Sequence, residues 1–234
     1  MKYSDRNRKV ALARWSKVHG KERANIRSDA ESLINKAAIC GFLAGDGSVK
    51  LRKEKSNVHH EIKFFPDDPE MLEYFCGAMK HVYGRIFSIK LRNNFYYVRL
   101  TSRTIYEDLI EHSTFGLLDW SLPWKLFKIN GAKEAWLRAF FSAEAYVGPK
   151  CIKIQTINKK GMGQVSQLLR EMEIDHRCYE YLPKNKKHSP VSIIFINKKK
   201  SRELFRQKIG FWHSKKSNTL SKTLGLNKKA ELKN

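Results

Sequence analysis

Residues Gly41–Val49 read GFLAGDGSV. The stretch opens as an apolar helix with Gly41 and Gly45 four residues apart. It places Asp46 where that helix should end, then passes through Gly47 into a strand. A carboxylate at a helix C-terminus meets the negative end of the macrodipole and is disfavoured there. Taken alone, an apolar helix ending in Asp-Gly also reads as a structural cap, with glycine supplying a left-handed residue. The choice between the two readings lies elsewhere in the chain.

The pattern occurs twice. Residues 134–147 read EAWLRAFFSAEAYV, and Ala139–Val147 align with Gly41–Val49, so that Glu144 falls on Asp46 and Ala139/Ala143 on Gly41/Gly45. Small residues at i and i+4 share one helix face and allow two backbones to approach closely. Two such helices are expected to pack along these faces, which sets Asp46 and Glu144 side by side. Paired carboxylates are costly unless a divalent cation lies between them, so the repeat favours a site over two coincidental caps.

The segments downstream of each copy repeat as well. SVKLRKE and HHEIKFF alternate with period two around KSNV and read as a hairpin. Val49, Leu51, Ile62 and Phe64 are expected to face the core, and Ser48, Lys50, Arg52, Glu61 and Lys63 to face outward. DDPEMLEYFCGAMKHVYG reads as a helix, with Asp67 or Asp68 as N-cap, Pro69 in the first turn and Gly84 as its stop. A second hairpin turns at Asn93-Asn94. Phe87, Ile89, Leu91, Tyr96, Val98 and Leu100 point inward, and Ser88, Lys90, Arg92, Tyr97 and Arg99 outward. SRTIYEDLIEHS closes the half as a helix. The second half echoes this order in KCIKIQTI, KKGMGQVSQLLREMEI, HRCYEYL, PVSIIFI and KKSRELFRQKIGF, with its first strand curtailed by Gly148-Pro149.

The expected fold class is therefore α+β: two pseudo-symmetric αββαββα halves with the repeated helices at their interface. A basic extension (1–36) precedes a first half (37–125). A linker near LPWKLFKING leads into the second half (126–234), which carries a basic tail.

The charge points to a polyanion. The 234 residues carry 46 Lys+Arg against 23 Asp+Glu, a net charge of +23, with a pI of about 9.9. Residues 1–36 hold ten of those Lys/Arg against four Asp/Glu, so the excess is not confined to one tail. Such an imbalance repels itself unless neutralised, with nucleic acid the first candidate and an anionic membrane the second. No apolar run approaches a membrane span, and no signal peptide is read at the N-terminus. Cys40, Cys76, Cys151 and Cys178 form no Cys-x-x-Cys pair and read as buried thiols of a reducing, intracellular compartment. An outward strand face rich in Lys, Arg, Gln and Tyr is either solvated or a DNA-binding saddle, since a β-ribbon fits the major groove. In the second half that face offers Tyr146, Lys153, Gln155, Arg177, Tyr179 and Tyr181.

With both elements in view, GFLAGDGSV and AFFSAEAYV resemble the two motifs of single-chain LAGLIDADG homing endonucleases, over roughly residues 37–225. The resemblance implies a monomer whose sheets lie in the major groove of a long double-stranded DNA target. It implies that divalent metal, normally Mg²⁺, is held over the minor groove by the last acid of each motif. Each strand is then cut to leave short 3′ overhangs. By position Asp46 and Glu144 inherit the metal-ligand and catalytic role, and Gly45 and Ala143 beside them are expected to belong to the metal site as well. A basic residue near the cleavage centre is also implied. GFWHSKKSNTL points to Lys215, with Lys216 second, and Lys125 stands as the first-half counterpart. Two positions depart from the motif: Ser142, where aspartate is common, and Ala145, where glycine follows the acid. Gly47 permits torsions that alanine resists, so the turn at Glu144 is expected to differ.

No Ser/His/Asp order or Cys nucleophile setting competes, and His59-His60 read as surface or DNA-facing. The rival from another class is a non-catalytic binder on the same scaffold, an intron RNA maturase or a DNA-binding regulator. Loss of a motif acid would favour it, and both acids are present. No intein splicing residues are evident, which favours a free-standing or intron-encoded origin.

Overall fold

The first repeated helix, α1 (Ala30–Gly45), starts where Asp29 caps it by accepting from the Ser32 backbone N–H at 3.0 Å. The helix therefore begins within the last residues of the expected 1–36 extension. The computed structural model describes residues 23, 25–54, 57–85, 87, 89–92, 95–185 and 189–226. Most of the expected basic extension, the turn at Asn93-Asn94 and Ser88 lie outside them, as does the side chain of Arg92.

After α1 come β1 (Gly47–Glu54), β2 (Asn57–Phe64), α2 (Pro69–Tyr83), β3 (Ile89–Arg92), β4 (Phe95–Thr101) and α3 (Arg103–His112). Asp68 is the N-cap of α2, and Gly84, at φ 63°, ends it in the left-handed conformation that glycine tolerates. A connection holding a short 3₁₀ turn (Leu126–Lys128) leads to the second repeated helix, α4 (Ala132–Glu144). Beyond it lie β5 (Tyr146–Gly148), β6 (Cys151–Thr156), α5 (Lys159–Glu171), β7 (Arg177–Tyr181), β8 (Val191–Ile196) and α6 (Lys199–Lys208). A further helix, α7 (Ser214–Thr223), is not evident as a helix in the sequence.

The two sheets are antiparallel and share one strand order, β1-β2-β4-β3 and β5-β6-β8-β7. The fold is thus α+β with two pseudo-symmetric halves. Helices α1 and α4 pack along their small residues. A Cβ at Gly41 would meet the Trp136 carbonyl and the Ala139 methyl, and one at Gly45 would meet the Ala143 methyl. That close approach fuses both halves into one core, in which Phe42, Phe64, Trp136, Phe140, Phe141 and Phe205 are buried.

Inward alternation holds for Val49, Ile62, Phe64 and Val98, all buried, while Phe87 and Leu100 are half-buried. Leu51, Ile89, Leu91 and Tyr96 depart from it, each about half exposed or more. They lie on the inward face by register, Leu51, Leu91 and Tyr96 toward the hairpin turns and Ile89 at the other end of β3. The cysteines correct the reading of four buried thiols: Cys40 is buried, Cys76 and Cys151 are half-buried and Cys178 is exposed, all of them free. Burial pushes the Cys40 thiol up to about 12. Among the described residues, no helix is long and apolar enough to cross a membrane.

Candidate active site and nucleic-acid interface

Because Gly45 and Ala143 touch, the residue after each of them emerges at the same end of the helix pair. The Glu144 side chain runs past Gly45, with Cγ 3.4 Å and Oε1 3.7 Å from the point where a Gly45 Cβ would stand. The two turns are built differently. Asp46 caps α1 at φ −91°, ψ 23°, and the strand starts at once at Gly47. Glu144 is still helical, Ala145 is the extended cap and the strand starts at Tyr146. Gly47 is required for space rather than torsion. Its φ is not positive, but a Cβ there would collide with the Leu43 backbone.

Both acids hold their protons unusually well. Asp46 is raised to about 6, first by burial and then by the neighbouring Asp67 carboxylate, with Lys216 opposing. Glu144 is exposed to solvent at the end of α4. Loss of surrounding water, then the Asp46 charge, raise it to about 7, again against Lys216. Negative charge is under-compensated at this spot on a protein of net +23.

Lys216, not Lys215, is the lysine at the acids. Its Nζ donates to the carbonyl oxygens of Ser142 at 2.6 Å and Ala143 at 2.8 Å. Burial lowers its pKa, while Asp67, Asp46, Glu144 and Asp68 pull the other way. Lys215 is exposed on α7. Lys125 is also exposed, and its charge bears on His112 beside Lys36 and Asp108. Lys36 precedes Asp46 on α1 by ten residues, about 15 Å of helix, so Lys125 belongs to the opposite end of the helix pair.

Sequence reasoning missed Asp67 and His213. His213 is buried, with Nδ1 3.1 Å from Asp68 Oδ2 and Nε2 3.5 Å from Asp67 Oδ1. Ser214 Oγ donates to Asp68 Oδ2 at 2.6 Å. These contacts tie the start of α7 to the cap of α2 and bring the second half's lysine to the first half's acid. Ser142, the departure from the motif, is fully buried and accepts the Trp212 backbone N–H at 2.8 Å, fixing the segment that leads into α7.

A cleft of about 580 Å³ opens beside Glu144, lined with it by Gly45, Ser48, Lys50, Gln155 and Val191 and by apolar residues that include Leu117 and Trp120. It joins the outer faces of the two sheets. On the first, register places Ser48, Lys50, Arg52, Glu61, Lys63, Lys90, Tyr97 and Arg99 on one side, together with His59. Glu61 departs from the expectation of an exposed contact residue. It is 1% exposed, covered by Lys63 (2.6 Å), Arg99 (2.7 Å) and Arg52 (3.9 Å). Burial alone would raise its carboxyl, but the Lys63 hydrogen bond and the charges of Lys63, Arg99 and Arg52 hold it below the ordinary value. His60 points to the other face, edge-on to Tyr106 at 5.1 Å. On the second sheet Tyr146, Lys153, Gln155, Arg177 and Tyr179 share the outer side, with Tyr181 beside them by alternation.

Residues 132–210 match the family model described as the LAGLIDADG-like domain. The fold matches solved structures of homing endonucleases. A mesophilic variant of I-DmoI aligns at 15% identity over 76% of this chain and 97% of that one, with a TM-score of 0.61. I-DmoI in complex with DNA and Mn aligns at 17% identity over 76% and 97%, with a TM-score of 0.59. I-WcaI bound to its DNA recognition sequence aligns at 16% identity over 83% and 87%, with a TM-score of 0.52. The chain has the fold of the LAGLIDADG homing endonucleases, and its second half carries the LAGLIDADG-like domain.

Proposed function

We propose that the protein is a site-specific endonuclease that cuts both strands of duplex DNA, one phosphodiester per strand across the minor groove, leaving short 3′ overhangs. The observation that carries the reading is the convergence of Asp46 and Glu144, one from each half, beside Lys216, with Glu144 lining a cleft between the outer faces of the two sheets.

The donor set suits a divalent cation such as Mg²⁺. Among the described residues, no group of three or more His, Cys, Asp or Glu is arranged to hold a metal by itself. Two under-compensated carboxylates that rely on phosphate oxygens and water to complete the shell are the arrangement Mg²⁺ favours. When bound, the cation lowers the pKa of its water and neutralises phosphate charge. Asp46 and Glu144 would hold it, Glu144 and Asp46 each serving one strand. Ionisation of both is needed first, which their raised pKa values place near neutrality. In the hydrolysis, a water oxygen bonds to phosphorus as the bond to the 3′ oxygen breaks. The water gives up a proton and the leaving oxygen gains one. Lys216, with two N–H donors pinned on Ser142 and Ala143, keeps one for a phosphate or leaving oxygen. The carbonyl of Ala143 is taken by this lysine, so Ala143 and Gly45 act here as the contact that brings the acids together. Ser48, Lys50, Arg52, Lys63, Lys90, Tyr97 and Arg99 of one sheet, and Tyr146, Lys153, Gln155, Arg177, Tyr179 and Tyr181 of the other, would contact the DNA. One chain supplies both halves, so it acts as a monomer.

The test incubates the protein with randomised duplex DNA and Mg²⁺ and sequences the cut ends. A defined site with staggered double-strand breaks is expected, lost or reduced to a nick in Asp46→Asn. Tight duplex binding without any break would assign the scaffold to the non-catalytic binder.

A further inference from the structure

The two sheet faces have the same strand order but different chemistry. The β1–β4 face is ionic. Lys50, Arg52, Lys63, Lys90 and Arg99 lie on it, and three of them converge on the buried Glu61. The β5–β8 face is aromatic and apolar. Tyr146, Tyr179 and Tyr181 are each about half exposed or more. Phe195, half-buried, and Ile193, buried, share their side by register. Within these four strands Lys153 and Arg177 are the basic side chains on this face.

The major groove distinguishes such surfaces. Guanine presents O6 and N7 acceptors that suit Arg or Lys; thymine presents a methyl group that suits apolar and aromatic contact; adenine suits a Gln such as Gln155. A buried carboxylate does not add affinity for DNA, but it fixes the direction in which its three partners present their remaining donors. A cation held in one direction discriminates between bases, whereas a free one serves mainly as a phosphate counter-charge.

We propose that the protein reads a compositionally asymmetric duplex. The half-site under β1–β4 is rich in guanine contacts organised by Glu61. The half-site under β5–β8 is rich in A·T pairs, recognised through thymine methyls and Gln155. Glu61 is a positioning residue, acting through Arg52, Lys63 and Arg99. This rests on the duplex-DNA reading above and adds to it the kind of sequence each half prefers.

The full chain is first used to select binding sites from a randomised duplex library in Ca²⁺. The selected duplex is then remade with uracil for thymine in one half at a time. This deletes methyl groups without altering base pairing, and no protein variant is involved. Uracil under β5–β8 is expected to weaken binding severalfold, and uracil under β1–β4 to leave it unchanged. Glu61→Gln is expected to lower discrimination against mismatched bases in the β1–β4 half by about tenfold, the scale of one bidentate base contact. It should leave discrimination in the other half intact and non-specific affinity undiminished. Equal uracil effects in the two halves, or selected half-sites of the same composition, would overturn the proposal while leaving the endonuclease reading in place. Failure to select any duplex would instead remove the DNA reading on which it stands.

Discussion

Lys216 of the second half's last helix donates to the carbonyl oxygen of Ala143 at 2.8 Å, directly before Glu144. The ammonium is thereby fixed within the field of both acids while the backbone holds it in place. Lys216→Met is expected to slow single-turnover cleavage by about 10²-fold, the scale of losing one preorganised charge-stabilising donor, with duplex affinity in Ca²⁺ little changed. Lys215→Met, on the exposed side of α7, should cut at nearly the wild-type rate. Equal losses in the two variants would remove Lys216 from the reaction.

The raised acids set a pH dependence. The folded protein binds protons at Asp46 and Glu144 more tightly than the unfolded chain does, so these groups lower stability as pH rises. The loss begins above the ordinary values of 3.8 and 4.5 and is complete above about 6 and about 7. Asp46→Asn/Glu144→Gln should match the wild type in melting temperature at acid pH and exceed it above neutrality. Protons and cation compete for the same oxygens, so Ca²⁺ binding measured by calorimetry should strengthen through this window and vanish in the double variant. A Ca²⁺ affinity independent of pH there would show that the cation binds elsewhere.

Much of this was legible in the chain. Period-two alternation and the twofold motif carry the halves and the seam, because both depend on local spacing. The features that escaped depend on distance in space. Leu51 and Leu91 alternate correctly, yet among the described residues both stay about half exposed or more near the hairpin turns. Glu61 reads as a surface residue because its burial is supplied by Arg52, Lys63 and Arg99 from its own and neighbouring strands. Asp67 reads as one of two cap candidates, and only the fold sets it against Asp46. Lys216 stood second to Lys215 because the choice rests on the phase of α7, which the sequence does not announce; on that helix Lys216 lies four and eight residues before the buried Leu220 and Leu224.

The helix seam should be intolerant of added volume. Gly45→Ala places a methyl on the Ala143 methyl and should cost about 1–3 kcal/mol, the range for overpacking a filled contact. Ala143→Gly in the same chain makes room and should recover most of that loss, a coupling that urea denaturation of the double-mutant cycle would measure. Additive effects would mean that the two residues do not share the contact.

A second buried charge pair lies far from the acids and tests stability alone. Lys36 Nζ is 2.9 Å from both carboxylate oxygens of Asp108, and the Tyr83 hydroxyl donates to Oδ2 at 2.7 Å. Burial, then the Asp108 charge and hydrogen bond, hold the Tyr83 phenol well above its ordinary pKa. Asp108→Ala leaves the Lys36 ammonium, 4% exposed, without its counter-charge and should cost about 3–5 kcal/mol in urea denaturation. Lys36→Met combined with Asp108→Leu removes both charges and should restore most of that stability, since a buried ion pair is often no better than apolar packing of similar volume. If Asp108→Ala alone were neutral, water would have to reach Lys36, and the pair would be solvated rather than part of the core.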